Sequence, residues 1–106
     1  MSYYPIELDK VRNLKFGMRA IDLIEKKFGC PVMAKEGMMD GVLTMEEYAT
    51  VIWAGLVHED KDLTPDKVMD LIDEYSSLTK VTQDMWKAFN AAYKEDEEEE
   101  EKGKNK

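Results

Sequence analysis

The chain has 106 residues, 43% of them hydrophobic, and a formal net charge of -8 at pH 7. Length and composition predict one folded domain with a modest core. The negative charge argues against unaided nucleic-acid binding, because phosphate contacts need a basic patch. The longest apolar stretch, residues 51–57, is too short to span a bilayer, and we see no basic amphipathic membrane helix. Without a secretion signal, and with Cys30 as the single cysteine, we expect a cytosolic protein.

The N-terminal segment is predicted to form a short β-hairpin. Four apolar residues alternate with polar ones on either side of a break at residues 9–13: Ile6, Leu8, Leu14 and Phe16. Such alternation places the apolar side chains on one face of a strand. Pro5 lacks a backbone N–H and therefore confines the first strand to the edge of a sheet.

Residues 17–28 are predicted to form the first helix. Three apolar residues recur at helical spacing: Ile21, Ile24 and Phe28. Gly29 suits the left-handed position that ends many helices, and Pro31 prevents simple continuation. Residues 30–43 contain three glycine or proline breakers and are predicted to form a connector with one short helical turn.

The second helix has a defined start, because Thr44 and Glu47 match a capping box. A core stripe follows at helical spacing: Tyr48, Val51, Ile52, Gly55 and Leu56. A second apolar strip lies beside the first: Met45, Ala49, Trp53 and Val57. Two strips on one helix predict either near-complete burial or a face reserved for a partner.

Two further helices and a tail complete the predicted fold. Thr64 caps the third helix with Pro65 after it, and residues 76–77 break that helix or cap a fourth, which runs to about Tyr93. Residues 94–106 contain seven acids, so we expect a disordered acidic tail. The fold class is mainly α, a small bundle of about four helices over residues 1–93 with a short N-terminal β-hairpin.

Residues 36–47 resemble an EF-hand calcium loop. Aligning Glu36 with position one puts Asp40 at position five, glycine at six and Glu47 at twelve. Position three is Met38, which offers no oxygen ligand, and the capping box already accounts for Glu47. A degenerate EF-hand-like calcium-binding regulatory module is therefore the alternative hypothesis for function.

No residue pattern indicates catalysis. His58 follows the second helix, where an imidazole favours the negative end of the helix dipole. Cys30 is interpreted as a small packing residue, and the scattered glycines form no phosphate loop. The carboxylates of Asp70, Asp73 and Glu74 fit a solvated helix face. We therefore expect no enzymatic activity, no metal and no cofactor.

Methionines supply the strongest candidate for a binding surface. Four of them fall in the connector and at the start of the second helix: Met33, Met38, Met39 and Met45. Thioether side chains adapt to irregular partners, although filling gaps in a small core is the competing interpretation. The predicted partner or self-association residues are Met38, Met39, Met45, Ala49, Trp53 and Val57.

Three segments of the chain resemble the tail assembly chaperones of long-tailed, siphovirus-type bacteriophages and prophages, and so do Leu63 and Thr64 after the third segment. The segments are Phe16–Ile21, Glu25–Gly29 and Trp53–Asp60. They come in the family's order, and the similarity spans about residues 6–93.

The resemblance implies a non-enzymatic chaperone that binds and solubilises the tape measure protein and assists tail tube polymerisation. It also implies a homo-oligomer that contacts the tail tube protein, acts in the cytoplasm of the bacterial host and is absent from the mature virion. No catalytic residues, nucleic acid or membrane are implied. A third hypothesis, a chaperone that holds basic proteins through the acidic tail, rests on charge alone.

Overall fold

The computed structural model describes residues 3–38 and 40–104, with side chains to Ala92. Within these residues, two strands and four α-helices follow one another: β1 Tyr4–Glu7, β2 Val11–Leu14, α1 Met18–Phe28, α2 Met45–Leu56, α3 Pro65–Tyr75 and α4 Leu78–Lys104. A short 3-10 turn, Val32–Ala34, lies in the connector between α1 and α2. The predicted helical bundle with an N-terminal hairpin is confirmed.

The hairpin is antiparallel, with Tyr4 opposite Leu14 and Glu7 opposite Val11. The four alternating apolar residues are buried as predicted: Ile6, Leu8, Leu14 and Phe16. The predicted break at residues 9–13 was too long, because β2 already begins at Val11. The reason is Arg12, which occupies an inward position of β2 and is only 5% exposed. Because this inward residue is charged, the apolar alternation that marks a strand is interrupted there.

Local capping signals set the helix boundaries. In α2 the hydroxyl of Thr44 accepts a bond from the Glu47 N–H (3.1 Å), and the Glu47 carboxylate accepts one from the Thr44 N–H (2.9 Å). The hydroxyl of Thr64 caps α3, and that of Ser77 caps α4. At the end of α1, Gly29 adopts the left-handed conformation with φ 76°. The caps at Gly29, Thr44 and Thr64 were predicted, whereas for residues 76–77 the sequence left open whether they end α3 or cap α4.

The core forms around α2, which packs against α1, α3, α4 and β2. Seven of its residues are buried: Ala49, Thr50, Val51, Ile52, Ala54, Gly55 and Leu56. Of the second apolar strip, Ala49 is buried, Trp53 and Val57 are partly buried, and Met45 is exposed. Gly55 permits the close approach of β2, because a Cβ there would lie 2.9 Å from both Leu14 Cδ2 and Phe16 Cζ.

The last helix, α4, buries Val81, Met85 and Phe89 against the rest of the bundle. The sequence placed the end of this helix near Tyr93 and a disordered tail beyond it, whereas the described helix continues to Lys104. Glu and Lys have high intrinsic helix propensity, and extending an existing helix costs far less than nucleating one. Across the described chain, no helix has the length and apolar character needed to cross a membrane.

Candidate interaction surface

The acidic segment after α2 holds the hairpin in place. The backbone N–H of Asn13 donates to one carboxylate oxygen of Glu59 (3.0 Å), and the Asn13 side-chain amide donates to the other (2.9 Å). The Nε2 atom of His58 lies 2.8 Å from the Asn13 carbonyl oxygen and donates to it, since a carbonyl can only accept. The hydrogen bond from the Asn13 side chain lowers the pKa of Glu59.

Arg12 makes the second connection between the hairpin and this segment. Its Nε and Nη2 atoms donate to the two oxygens of Asp9 at 2.8 and 3.0 Å, and Nη1 reaches Asp60 at 3.4 Å. The side-chain hydrogen bond from Arg12 lowers the pKa of Asp9. The residues from His58 to Asp60 therefore have a structural role, and their polar groups are engaged within the chain.

The Glu47 carboxylate of the EF-hand-like segment has partners within the chain. The Glu47 carboxylate that would occupy position twelve accepts from the Thr44 N–H and pairs with Lys35 Nζ at 2.8 Å. The hydrogen bond from Lys35 is the largest cause of the lowered pKa of Glu47. In the part of the chain that the structure describes, no three His, Cys, Asp or Glu residues are grouped to hold a metal ion. The structure therefore lends the calcium-module alternative no support.

The six predicted contact residues do not form one surface. Met38 and Ala49 are 3% and 2% exposed and belong to the protein's own core, while Met39 lies outside the described residues. Met45 is 50% exposed, but it stands at the opposite end of α2 from Val57. Twelve residues at about 1.5 Å each separate these two by roughly 18 Å along the helix.

Trp53 has partners inside the chain. Its indole N–H donates to the Leu63 carbonyl oxygen at 2.9 Å, so the side chain ties α2 to the loop before α3. The Lys27 amine lies 5.6 Å from the centre of the ring, which is within reach of a cation–π contact. The tryptophan remains only partly buried, so a role in partner binding stays a prediction.

An apolar surface that the sequence did not single out lies at the start of α1. Met18 is 91% exposed and stands between two shallow depressions of about 520 and 330 Å³. We call this region the Met18 surface; its apolar residues are Phe16, Met18, Ala20, Ile21, Leu23, Ala54, Val57 and Ala92. Val57 is the predicted contact residue that it includes. Met18 lies about one helical turn before Ile21, and this spacing is the sequence signal that could have added Met18 to the apolar face of α1.

We compared the chain with models of protein families, with curated proteins and with solved structures, and none of the three comparisons gave a match.

Proposed function

We propose that this protein is a non-enzymatic tail assembly chaperone of a long-tailed phage or prophage. In this role it binds and solubilises the tape measure protein while the tail tube polymerises, acts as a homo-oligomer in the host cytoplasm, and is left out of the mature virion. The observation that carries the proposal is the ordered set of segments that resemble this family: Phe16–Ile21, Glu25–Gly29 and Trp53–Asp60.

Exposed apolar side chains support a role in holding another chain. Met18, Met33 and Met45 are all at least half exposed, and Val42 is 70% exposed next to the start of α2. Flexible thioether side chains on a surface suit a partner with many different helical segments, because they can repack against each of them. The net charge of -8 would keep a coated complex soluble through mutual repulsion.

The proposal is tested by co-expressing this protein with the tape measure protein encoded in the same genome. We expect the tape measure protein to move from the pellet to the soluble fraction and to co-purify with this chain. A pellet that is unchanged by co-expression would contradict the proposed function.

A pair of matched variants tests where the tape measure protein is held. Met45 and Tyr75 are each 50% exposed, the first on α2 among the predicted contact residues and the second on α3. We expect Met45→Glu to reduce the soluble tape measure protein several-fold and Tyr75→Glu to leave it unchanged. Equal effects from the two variants would remove Met45 from the contact surface.

A further inference from the structure

The smaller depression of the Met18 surface has a basic rim. It lies between the start of α1 and the end of α2, and its apolar lining includes Ala20, Leu23, Ala54 and Val57. Among the side chains that the structure describes, the titratable ones that line it are Lys15, Arg19 and His58, with no carboxylate. This composition is opposite to that of the whole chain, which carries 23 acids against 15 Lys and Arg.

Neither cation is paired with a carboxylate of the residues that the structure describes. Arg19 is exposed and forms no ion pair with any residue that the structure describes, and Lys15 Nζ lies 5.5 Å over the Tyr3 ring. Three described acids adjoin the groove, and each has a partner in the chain. Glu59 accepts two hydrogen bonds from Asn13. Asp22 and Glu25 line the neighbouring depression, where Asp22 pairs with Lys26 and Glu25 accepts a bond from the Val32 N–H. Because α1 begins and α2 ends here, their opposed helix dipoles offset each other, and the side chains decide the local charge.

We propose that this groove binds an amphipathic helix of the partner protein in which acidic residues flank an apolar stripe. The apolar side chains of that helix pack on Leu23 and Val57 beneath Met18, and its carboxylates pair with Lys15 and Arg19. Arginine can hold a carboxylate through two parallel hydrogen bonds, which adds geometric selectivity. A basic helix is rejected because its cations meet the same two side chains. This inference rests on the proposed function only for the identity of the partner.

Two synthetic peptides test the groove directly. Both have 21 residues with leucine at the a and d positions of each heptad; one carries glutamate at e and g, the other lysine. We expect fluorescence anisotropy to show binding of the glutamate peptide to the full chain and weaker binding of the lysine peptide. The net charge of -8 by itself favours the lysine peptide, so tighter binding of that peptide would overturn the proposal.

Charge reversal at Arg19 tests the electrostatic part of the groove, and charge reversal at Lys61 is its matched control. Arg19→Glu should weaken binding of the glutamate peptide about tenfold or more, because it replaces an attraction at the groove with a repulsion. Lys61→Glu makes the same change in net charge at an exposed position in the loop between α2 and α3. Equal weakening by the two variants, or no binding of the glutamate peptide to the unmodified chain, would overturn the proposal.

A third variant tests the apolar part of the groove. Met18→Ser removes the apolar side chain without adding a charge and should also weaken binding of the glutamate peptide; the 91% exposure of Met18 leaves the core intact, which a thermal melt verifies. Unchanged binding in Met18→Ser would remove this side chain from the site. Peptide binding without rescue of the tape measure protein would contradict the proposed function alone, whereas rescue without peptide binding would contradict the groove alone.

Discussion

Gly55 sets the distance between α2 and β2. Its backbone carbonyl accepts a hydrogen bond from the Lys15 N–H at 2.9 Å, and atoms of the Leu14 and Phe16 side chains lie only 2.9 Å from where a Cβ would be. We predict that Gly55→Ala lowers the free energy of unfolding by up to about 2 kcal/mol, because the cost of overpacking the core exceeds the gain of about 1 kcal/mol in helix propensity. The measurement is urea unfolding, with a lower midpoint at an unchanged slope.

A double variant isolates the cause of the Gly55→Ala effect. Phe16→Leu removes the aromatic ring that the new methyl group would meet. The cost of Gly55→Ala should therefore be smaller in the Phe16→Leu background than in the unmodified chain. Strictly additive costs would show that the methyl group does not meet this ring, and that the destabilisation arises elsewhere.

Single residues also show where the sequence was informative and where it was not. The helical spacing of Val51 and Ile52 correctly predicted burial, because one face of a helix always packs on the core. The same spacing could not predict the burial of Ala49 or Met38, because it does not say how many neighbouring elements surround a helix. The environment of Trp53 was the hardest to predict, because its hydrogen bond to Leu63 depends on the path of the loop before α3.

At the scale of elements, the sequence predicted the helix boundaries from local capping signals. It did not predict polar contacts between residues that are far apart in the chain. The caps at Thr44 and Thr64 join residues three positions apart, so they are legible in the sequence. The bonds from Asn13 to Glu59 and from Arg12 to Asp60 join residues 46 and 48 positions apart. Such pairs have no periodicity, and the acidic segment after α2 therefore looked like a plain break between two helices.

The turn of the hairpin is held by the Arg12 guanidinium, which bonds to Asp9 and whose side chain is 6% exposed. We predict that Asp9→Asn lowers the free energy of unfolding by about 1–3 kcal/mol, because it leaves a buried cation without its closest carboxylate. Asp22→Asn is the matched control, since Asp22 pairs with Lys26 on the exposed face of α1. That variant should cost no more than about 0.5 kcal/mol. Equal costs in urea unfolding would contradict this role for Arg12.

At the scale of the whole molecule, the excess of acids has two opposing consequences. Self-repulsion at a net charge of -8 weakens the compact state at neutral pH, and mild acidification relieves it. Three carboxylates work in the opposite direction, because their folded-state hydrogen bonds favour the charged form: Asp9, Glu47 and Glu59. The balance between these two effects changes with pH. Once the pH is low enough to protonate the three carboxylates, the loss of their hydrogen bonds outweighs the relief of self-repulsion.

We predict that the free energy of unfolding falls as the pH falls below about 4.5. The ordinary pKa is 4.5 for Glu47 and Glu59 and 3.8 for Asp9, and all three are lower in the folded chain. The unfolded chain therefore binds more protons in this range, and the stability gained above it is lost as pH drops through the folded pKa values. Urea unfolding between pH 3 and pH 6 measures the slope. Glu59→Gln should make the slope shallower, whereas stability that rises steadily down to pH 3 would show that relief of self-repulsion outweighs these bonds.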